Sequence, residues 1–299
     1  MCDYMKKILI LGVTGFIGRT LREYYIENNN YEVYYPTSMD LNLLEQESVY
    51  KYLQINKFDV IIHAANYGIG QDKNKDKNKI LENVIRMFLN LHACKHLYGK
   101  LIHLGSGAEY DKQHSIISVR ESEIGKFIPI DQYGLAKYVI NEITEKSDNI
   151  YNLRLFGIFG RYEYWPVKFI SNICCKAVKG LPLTIRQNVI FDYLWIGDLC
   201  RIMDWFIENR PMYQTYNITT NIKIDLLTLC NKVKEVSNKD LPVYVCRDGM
   251  GFEYTGNNDR LIKELGHFEF TPIDDSLREL YLWYLKNEDK IDLMSLLYQ

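Results

Sequence analysis

Tyr133 and Lys137 stand four residues apart in Tyr133-Gly134-Leu135-Ala136-Lys137, and on a helix that spacing puts both side chains on one face. An ammonium near a phenol favours the phenolate, so the lysine is expected to draw the tyrosine's pKa from ~10 toward neutrality. A phenol tuned in this way exchanges a proton with a substrate hydroxyl or carbonyl. Ser106 follows the apolar run Lys100-Leu101-Ile102-His103-Leu104 and offers a hydroxyl to the same oxygen. A Tyr-x-x-x-Lys pair arises by chance on many helices. It gains weight from a third feature near the start of the chain.

That feature is Gly12-Val13-Thr14-Gly15-Phe16-Ile17-Gly18, set between the apolar run Ile8-Leu9-Ile10-Leu11 and the helical pattern Thr20-Leu21-Arg22-Glu23-Tyr24-Tyr25. Gly12 permits a turn that a Cβ would obstruct, Gly15 lets the backbone approach a pyrophosphate, and Gly18 lets helix and strand pack closely. With Thr14, Phe16 and Ile17 they form a loop ending in free helix N–H groups at a positive dipole end, which suits an anion. A dinucleotide cofactor needs such a cradle.

Positioning these groups calls for alternating strands and helices. Strands are expected at Lys7–Leu11, Glu32–Tyr35, Asp59–Ala65, Lys100–Leu104 and Ile150–Leu155, with helices from the glycine turn to Glu27 and at Leu43–Leu53, Leu81–Leu97 and Tyr133–Glu145. Short connections in this rhythm argue for an α/β fold, a doubly wound parallel sheet covered on both faces. Residues 1–160 would form this cofactor-binding domain. Residues 161–299 would form a smaller α/β substrate domain, with some segments returning to the first. In the second part Leu183–Arg186 and Ile190–Leu194 are read as a hairpin across Gln187-Asn188. Helices are expected at Val167–Val178, Ile196–Glu208, Ile224–Val236, Arg260–Leu265 and Asp275–Asn287, with strands at Thr215–Ile218 and Val243–Cys246. Gln71–Lys79 (QDKNKDKNK) is a charged surface loop, with a lid over a pocket as the sharper alternative.

Composition narrows the class. The 299 residues are 47% hydrophobic and 25% charged with a net charge of −2, so the chain is globular and carries no nucleic-acid footprint. Seven scattered cysteines, without CxxC, point to thiols rather than a disulfide frame. No apolar run reaches membrane-spanning length, and the first strand starts too early for a signal peptide, so the cytoplasm is the expected location. His92 and His96 sit one helical turn apart but lack a third ligand, so no metal is expected. His63 and His103 read as core or supporting residues, Cys174-Cys175 as packing, and Asp198 as a cap or first-turn charge.

These pieces, in this order, resemble the extended short-chain dehydrogenases/reductases of the nucleotide-sugar epimerase/dehydratase type. The resemblance runs along nearly the whole chain: Gly12-x-x-Gly15-x-x-Gly18, the Asp59–Ala65 strand, Asn83, Leu104-Gly105-Ser106, Tyr133-x-x-x-Lys137, Arg154–Gly160, Phe191–Asp198 and Asn258–Leu261. It implies a Rossmann domain holding NAD or NADP through the glycine turn, Ala64, Ala65, Asn83, Tyr133 and Lys137. It also implies a C-terminal domain holding a nucleotide-diphospho-sugar. Ser106, Tyr133 and Lys137 would be the catalytic set, with Tyr133 the acid/base and Lys137 also on the nicotinamide ribose. Ser106, Gly107 and Gly157 would face the substrate, with Lys168, Arg186 and Arg260 as candidate diphosphate partners. A homodimer through the helices Leu81–Leu97 and Tyr133–Glu145 is expected, with no nucleic-acid or membrane partner.

Departures from the family shape the reading. Dehydratases carry Thr-Asp-Glu where this chain has Ser106-Gly107-Ala108, so the groups for water elimination are missing. Met39-Asp40-Leu41-Asn42-Leu43-Leu44 is similar to the matching segments of GDP-fucose synthase and dTDP-4-dehydrorhamnose reductase. The former's epimerising cysteine falls at Ala108 and its histidine near Lys168. What remains is reduction of a 4-keto group, with a 4-epimerase holding NAD tightly as one alternative and a non-catalytic cofactor-binding regulatory protein as another. Gly157 replaces a substrate-binding asparagine, Phe191 a common arginine and Trp195 a common histidine, so the sugar-nucleotide contacts are unusual. Strand two ends in Tyr35-Pro36-Thr37-Ser38 with no carboxylate, and Thr37 and Ser38, with help from Arg19, can donate to a 2′-phosphate. NADP is therefore preferred to NAD.

Overall fold

The apolar runs of the first part become one parallel sheet. In the computed structural model, which describes residues 5–68 and 75–297, the chain runs β1 (Lys7–Leu11), α1 (Phe16–Asn28), β2 (Glu32–Tyr34), α2 (Gln46–Ile55), β3 (Phe58–His63), α3 (Ile80–Ala93), β4 (Tyr98–Ser106), β5 (Ile116–Val119), α4 (Gln132–Thr144) and β6 (Ile150–Leu155). It continues with β7 (Gly157–Phe159), α5 (Phe169–Val178), β8 (Leu183–Asn188), β9 (Ile190–Trp195), α6 (Ile196–Glu208), β10 (Thr215–Ile218), β11 (Lys223–Asp225), α7 (Leu226–Ser237), β12 (Val243–Met250), β13 (Tyr254–Gly256), α8 (Asp259–Leu265) and α9 (Ile273–Lys286). The main sheet is ordered β10-β6-β4-β3-β1-β2, and every pairing in it is parallel. This is the doubly wound Rossmann arrangement, with a strand from the second half of the chain on one edge.

Strands covered on both faces read as continuous apolar runs, and Ile8–Leu11 and Val60–Ile62 are fully buried. One face packs on α2, α3 and α4 through Leu9, Leu53, Ile61, Phe88 and Ile140. The other packs on α1, α6 and the C-terminal helices through Ile10, Leu21, Ile62, Phe206 and Leu277. Alternation along β6 sorts its side chains between the layers. Leu153 and Leu155 join the α1/α6 layer, whereas Ile150 joins the α4 layer. Asn152 and Arg154 share the face of Ile150 and are completely buried there.

The expected hairpin between Leu183–Arg186 and Ile190–Leu194 does not form. A two-residue hairpin turn requires positive φ at its central residues, and Gln187 and Asn188 are not among the residues that have it. The chain bends at Val189 and carries on. β8 pairs in parallel with β12, while β9 pairs with β11, β13 and β7. β5, β7 and β13 answer to no expected strand. β13 pairs with β5 and β9, and the resulting sheet of order β11-β9-β13-β5 is the floor of the C-terminal part. The expected helix Leu81–Leu97 ends at Ala93, and His96 falls in a separate 3-10 turn, so His92 and His96 do not share a helix. Of the Gln71–Lys79 loop, residues 71–74 lie outside the described residues. Asp76 caps a 3-10 turn at Lys77–Lys79 that leads into α3. Among the described residues no helix is long and apolar enough to cross a membrane, no group of three potential metal ligands occurs, and the cysteines are free thiols.

Candidate active site

The β1–α1 turn has the shape its glycines imply. Gly12 adopts φ +87°, and a Cβ on it would lie 2.5 Å from the Ala65 backbone N; one on Gly18 would lie 2.3 Å from the Gly12 carbonyl O. The turn is thus pressed against the Ala64-Ala65 segment that leaves β3, where the Ala64 N–H donates to the Leu11 carbonyl at 3.1 Å. Gly15 is different. Its φ of −87° is unstrained and its Cβ would meet nothing nearer than the Gly12 carbonyl O at 3.4 Å. Gly15 caps α1 without a side-chain bond, and the first turn of α1 holds no acidic residue. Free N–H groups under open space form a cradle that fits a pyrophosphate. Thr14 is exposed, Phe16 and Ile17 are half-buried, and Asn83 is buried in the first turn of α3.

Beyond β2 the expected donors are partly taken. Asp40 accepts from both the backbone N–H (2.9 Å) and the hydroxyl (2.7 Å) of Thr37, and these bonds hold its carboxyl below the usual range. Ser38 is exposed, and Arg19 lies 3.7 Å over the Tyr162 ring with its Nε 3.0 Å from Glu23.

Tyr133, Lys137 and Ser106 come together at the carboxyl ends of β3 and β4. Asp131 starts α4 by accepting from the Gly134 N–H at 2.9 Å, which sets Tyr133 in the first turn with Lys137 one turn further on. Ser106 caps the 3-10 turn Gly107–Tyr110, and Glu109 closes a capping box by accepting from the Ser106 N–H at 3.0 Å. The Ser106 hydroxyl is hydrogen-bonded with the phenols of Tyr133 and Tyr254, and Asn66 also reaches Tyr133.

The electrostatics depart from expectation. The Lys137 Nζ is 5.8 Å from the Tyr133 ring centroid and donates to the Leu104 carbonyl at 2.7 Å, with His103 Nε2 at 3.1 Å. Burial pushes the phenol up to about 12, opposed by its bonds to Ser106 and Asn66. The expected depression by Lys137 is absent because the lysine's N–H groups aim at the strand below. Burial brings Lys137 itself down to about 7, with Glu109 acting against this. His63 is held down to about 3 and His103 well below its ordinary value, first by burial and then by Lys137, so both rings are neutral.

The substrate-side residues are dispersed. A Cβ on Gly107 would lie 2.5 Å from the Tyr254 hydroxyl, so this residue is at the site. The place of a Gly157 side chain is filled by the Asp192 carbonyl O at 2.7 Å and the Tyr193 ring. Lys168 is exposed at the start of α5, near Glu163, and Arg186 is exposed on β8 in the two-stranded sheet. Arg260 is engaged elsewhere, donating to the Thr215 carbonyl at 2.9 Å at the amino end of β10 and stacking 4.3 Å over Tyr213. That is the edge of the sheet away from Ser106, so Arg260 is not brought to the site. A hollow of about 180 Å³ beside Tyr254 is lined by Lys112, His114, Phe191, Phe252 and Glu253. Asn66, Glu109 and Tyr254 belong to this neighbourhood and escaped the sequence reading, whereas His103 is the supporting residue that its buried strand suggested. The one signal for them was the placement of polar residues in or beside the buried strands. Asp198, in the first turn of α6, accepts from Thr271 and Arg201 and is structural.

A glycine-turned Rossmann sheet with serine, tyrosine and lysine converging at its carboxyl edge defines an enzyme of the extended short-chain dehydrogenase/reductase class. Residues 8–219 match the NAD dependent epimerase/dehydratase family, and the chain belongs to it. It is 34% identical to GDP-L-colitose synthase of Yersinia pseudotuberculosis over 95% of this chain and 100% of that protein. It is 25% identical to GDP-6-deoxy-D-talose 4-dehydrogenase of Aggregatibacter actinomycetemcomitans over 92% of this chain and 97% of that one. A GDP-L-fucose synthetase from Naegleria fowleri, solved bound to NADP, superposes with a TM-score of 0.81 at 16% identity, covering 95% of this chain and 94% of that one.

Proposed function

We propose that this chain reduces the 4-keto group of a nucleotide-diphospho-sugar, with NADPH as the preferred cofactor. The observation that carries the reading is the convergence of Tyr133, Ser106 and Lys137 at the carboxyl ends of β3 and β4, with the phenol within hydrogen-bond reach of the Ser106 hydroxyl and raised by burial so that it holds a proton to give. A reductase needs an acid at that place. The nicotinamide, when bound, supplies the hydride. The Gly12–Gly18 turn, Ala64, Ala65 and Asn83 hold the cofactor, and Lys137 holds its ribose. Ser106 orients the carbonyl oxygen, and Tyr133 gives it a proton as charge develops there. Gly107 and Ala108 bring no carboxylate or thiol that would divert the reaction to elimination or epimerisation at a neighbouring carbon. Residues 161–299 mainly hold the substrate. The diphosphate lies toward Lys112 and His114, which line the aromatic hollow where Phe191 stands. Ser38 and Arg19 support the NADP preference, since Asp40 occupies the donors of Thr37.

Purified protein, NADPH and a panel of 4-keto nucleotide-sugars test this. Consumption of NADPH with formation of the 4-hydroxy sugar is expected. Tightly retained NAD with interconversion of 4-epimers and no net redox change would favour the epimerase reading. A homodimer through α3 and α4 in the cytoplasm completes the proposal; a groove beside the two helices is lined by His92, Val139 and Ile143 together with the charged Lys95, Glu142 and Lys146, and a monomer in light scattering would refute it.

A further inference from the structure

The α4 face that carries Tyr133 and Lys137 continues one turn on to Asn141, which is completely buried. Its Oδ1 accepts from Arg154 on β6 and, at 3.4 Å, from Asn152. Arg154 Nε donates to Glu109 Oε2 at 2.5 Å, and Asn152 Nδ2 donates to both Glu109 oxygens at 3.2 and 3.1 Å. The Glu109 Oε1 in turn accepts the Ser106 N–H at 3.0 Å. All four side chains have 0% exposure, and they join the two parts of the site that sequence separates, the Ser106 turn and the Tyr133/Lys137 helix. A buried ion pair is weak evidence for stability, because desolvation offsets its attraction. Fixing relative position is a use to which such a network is suited.

We propose that Glu109, through Arg154 and Asn141, is a positioning residue that locks α4 against the Ser106 turn and provides the negative charge facing Lys137. The inference rests on the reading of Ser106, Tyr133 and Lys137 as the catalytic set. The ionisable groups facing the Lys137 amine are His103 on β4, His63 on β3, Tyr133 on its own helix and Glu109 on the turn after β4. Both imidazoles are neutral and the phenol keeps its proton, so Glu109 is the counter-charge. Burial pushes the Glu109 carboxyl up, while Arg154 and the N–H donors of Ser106 and Asn152 hold the charged form.

The test uses the full chain and two readouts. In protein labelled with 13Cε-lysine, the Lys137 resonance, identified by its loss in Lys137→Met, is titrated by NMR without substrate. Its midpoint should fall by a full pH unit or more in Glu109→Gln. With a 4-keto nucleotide-sugar and NADPH, kcat should drop at least tenfold while KM for NADPH stays within twofold. A merely structural role would lower thermal stability and leave the Lys137 midpoint in place, which overturns the proposal. So does a Lys137 in the unsubstituted chain that titrates with the exposed lysines. If Glu109→Gln does not fold, Asn141→Leu, which keeps the ion pair, should lower kcat at least fivefold with the Lys137 midpoint unmoved; an unchanged kcat overturns the proposal. Absence of turnover by the unsubstituted chain with every 4-keto sugar would strike the proposed function alone, since the NMR titration needs no substrate.

Discussion

Lys137→Met tests the buried amine through stability. The amine's ordinary pKa of 10.5 is brought down to about 7, first by burial and against the pull of Glu109. The unfolded chain keeps that proton to near 10.5, so between about pH 7 and 10 it binds more protons than the folded chain, and unfolding free energy rises with pH. Below that window both states are protonated, and the folded chain bears the whole cost of a buried ammonium. At ~1.36 kcal/mol per pKa unit that cost is on the order of 5 kcal/mol, relieved at about 1.4 kcal/mol per pH unit above the midpoint. Methionine fills similar space and cannot titrate. Urea unfolding of both proteins from pH 6.5 to 9 should show the unsubstituted chain gaining about 2 kcal/mol relative to Lys137→Met between pH 7 and 9. Displaced groups away from Lys137 are common to both proteins and cancel in the difference, and the two imidazoles that feel its charge titrate below the range compared. Depressed His63 and His103 cost stability only as pH falls below 6.5. Glu163, raised to about 7, acts below that pH with the opposite sign. Lys100, lowered to about 8, acts with the same sign. Parallel curves for the two proteins would mean that the amine titrates as an exposed one, and the electrostatic account of the site would fail.

Tyr133→Phe keeps the buried ring and removes the transferable proton; kcat should fall by ~10²–10⁴ with KM for NADPH nearly unchanged, and a kcat within threefold would move the acid elsewhere. Gly18→Ala drives a Cβ to 2.3 Å from the Gly12 carbonyl O, where both sides are backbone. It should cost about 1–3 kcal/mol in urea unfolding and weaken cofactor binding, and an unchanged midpoint would refute the close packing. Arg19→Ala, at an exposed residue of the first helical turn, should raise KM for NADPH several-fold and leave KM for NADH alone; equal effects on both would remove Arg19 from 2′-phosphate recognition.

The Rossmann half was legible because its signals are local. Ile8–Leu11, Asp59–Ile62 and Ile150–Leu155 are apolar runs bounded by turns, and the helix Ile196–Glu208 has its expected limits because its apolar stripe spans its whole length. Of the strands of three or four residues, β2 and β10 were legible, but β5, β7, β11 and β13 left no such mark. β7 owes its existence to β9, pairing Gly157 with Tyr193, and β13 owes its existence to β5, pairing Tyr254 with Ile116. Their partners lie 36 and 138 residues away, so no window of sequence contains both members. The mistaken hairpin has the same root: β8 and β9 are neighbours in sequence, but each finds its partners elsewhere in the chain.

The two halves of the site differ in what the sequence can record. The cofactor cradle is a backbone device, and backbone devices select residue types for steric reasons: Gly12 and Gly18 are glycines because carbonyls and amides stand where a Cβ would go. The substrate side and the tuning of the catalytic groups depend on where side-chain tips point. The four-residue spacing correctly places Tyr133 and Lys137 on one face, yet the lysine's direction is set by a carbonyl of β4 and an imidazole beside it. Arg260 illustrates the same point in reverse, since a guanidinium suited to a diphosphate is spent on a strand carbonyl. A charge in a sequence states a capacity; the nearest unsatisfied acceptor in the fold decides how it is used. In this chain that rule makes the phenol an acid rather than a ready phenolate. A protonated Tyr133 is the form that can give a proton to a developing alkoxide, which is what the proposed reduction asks of it.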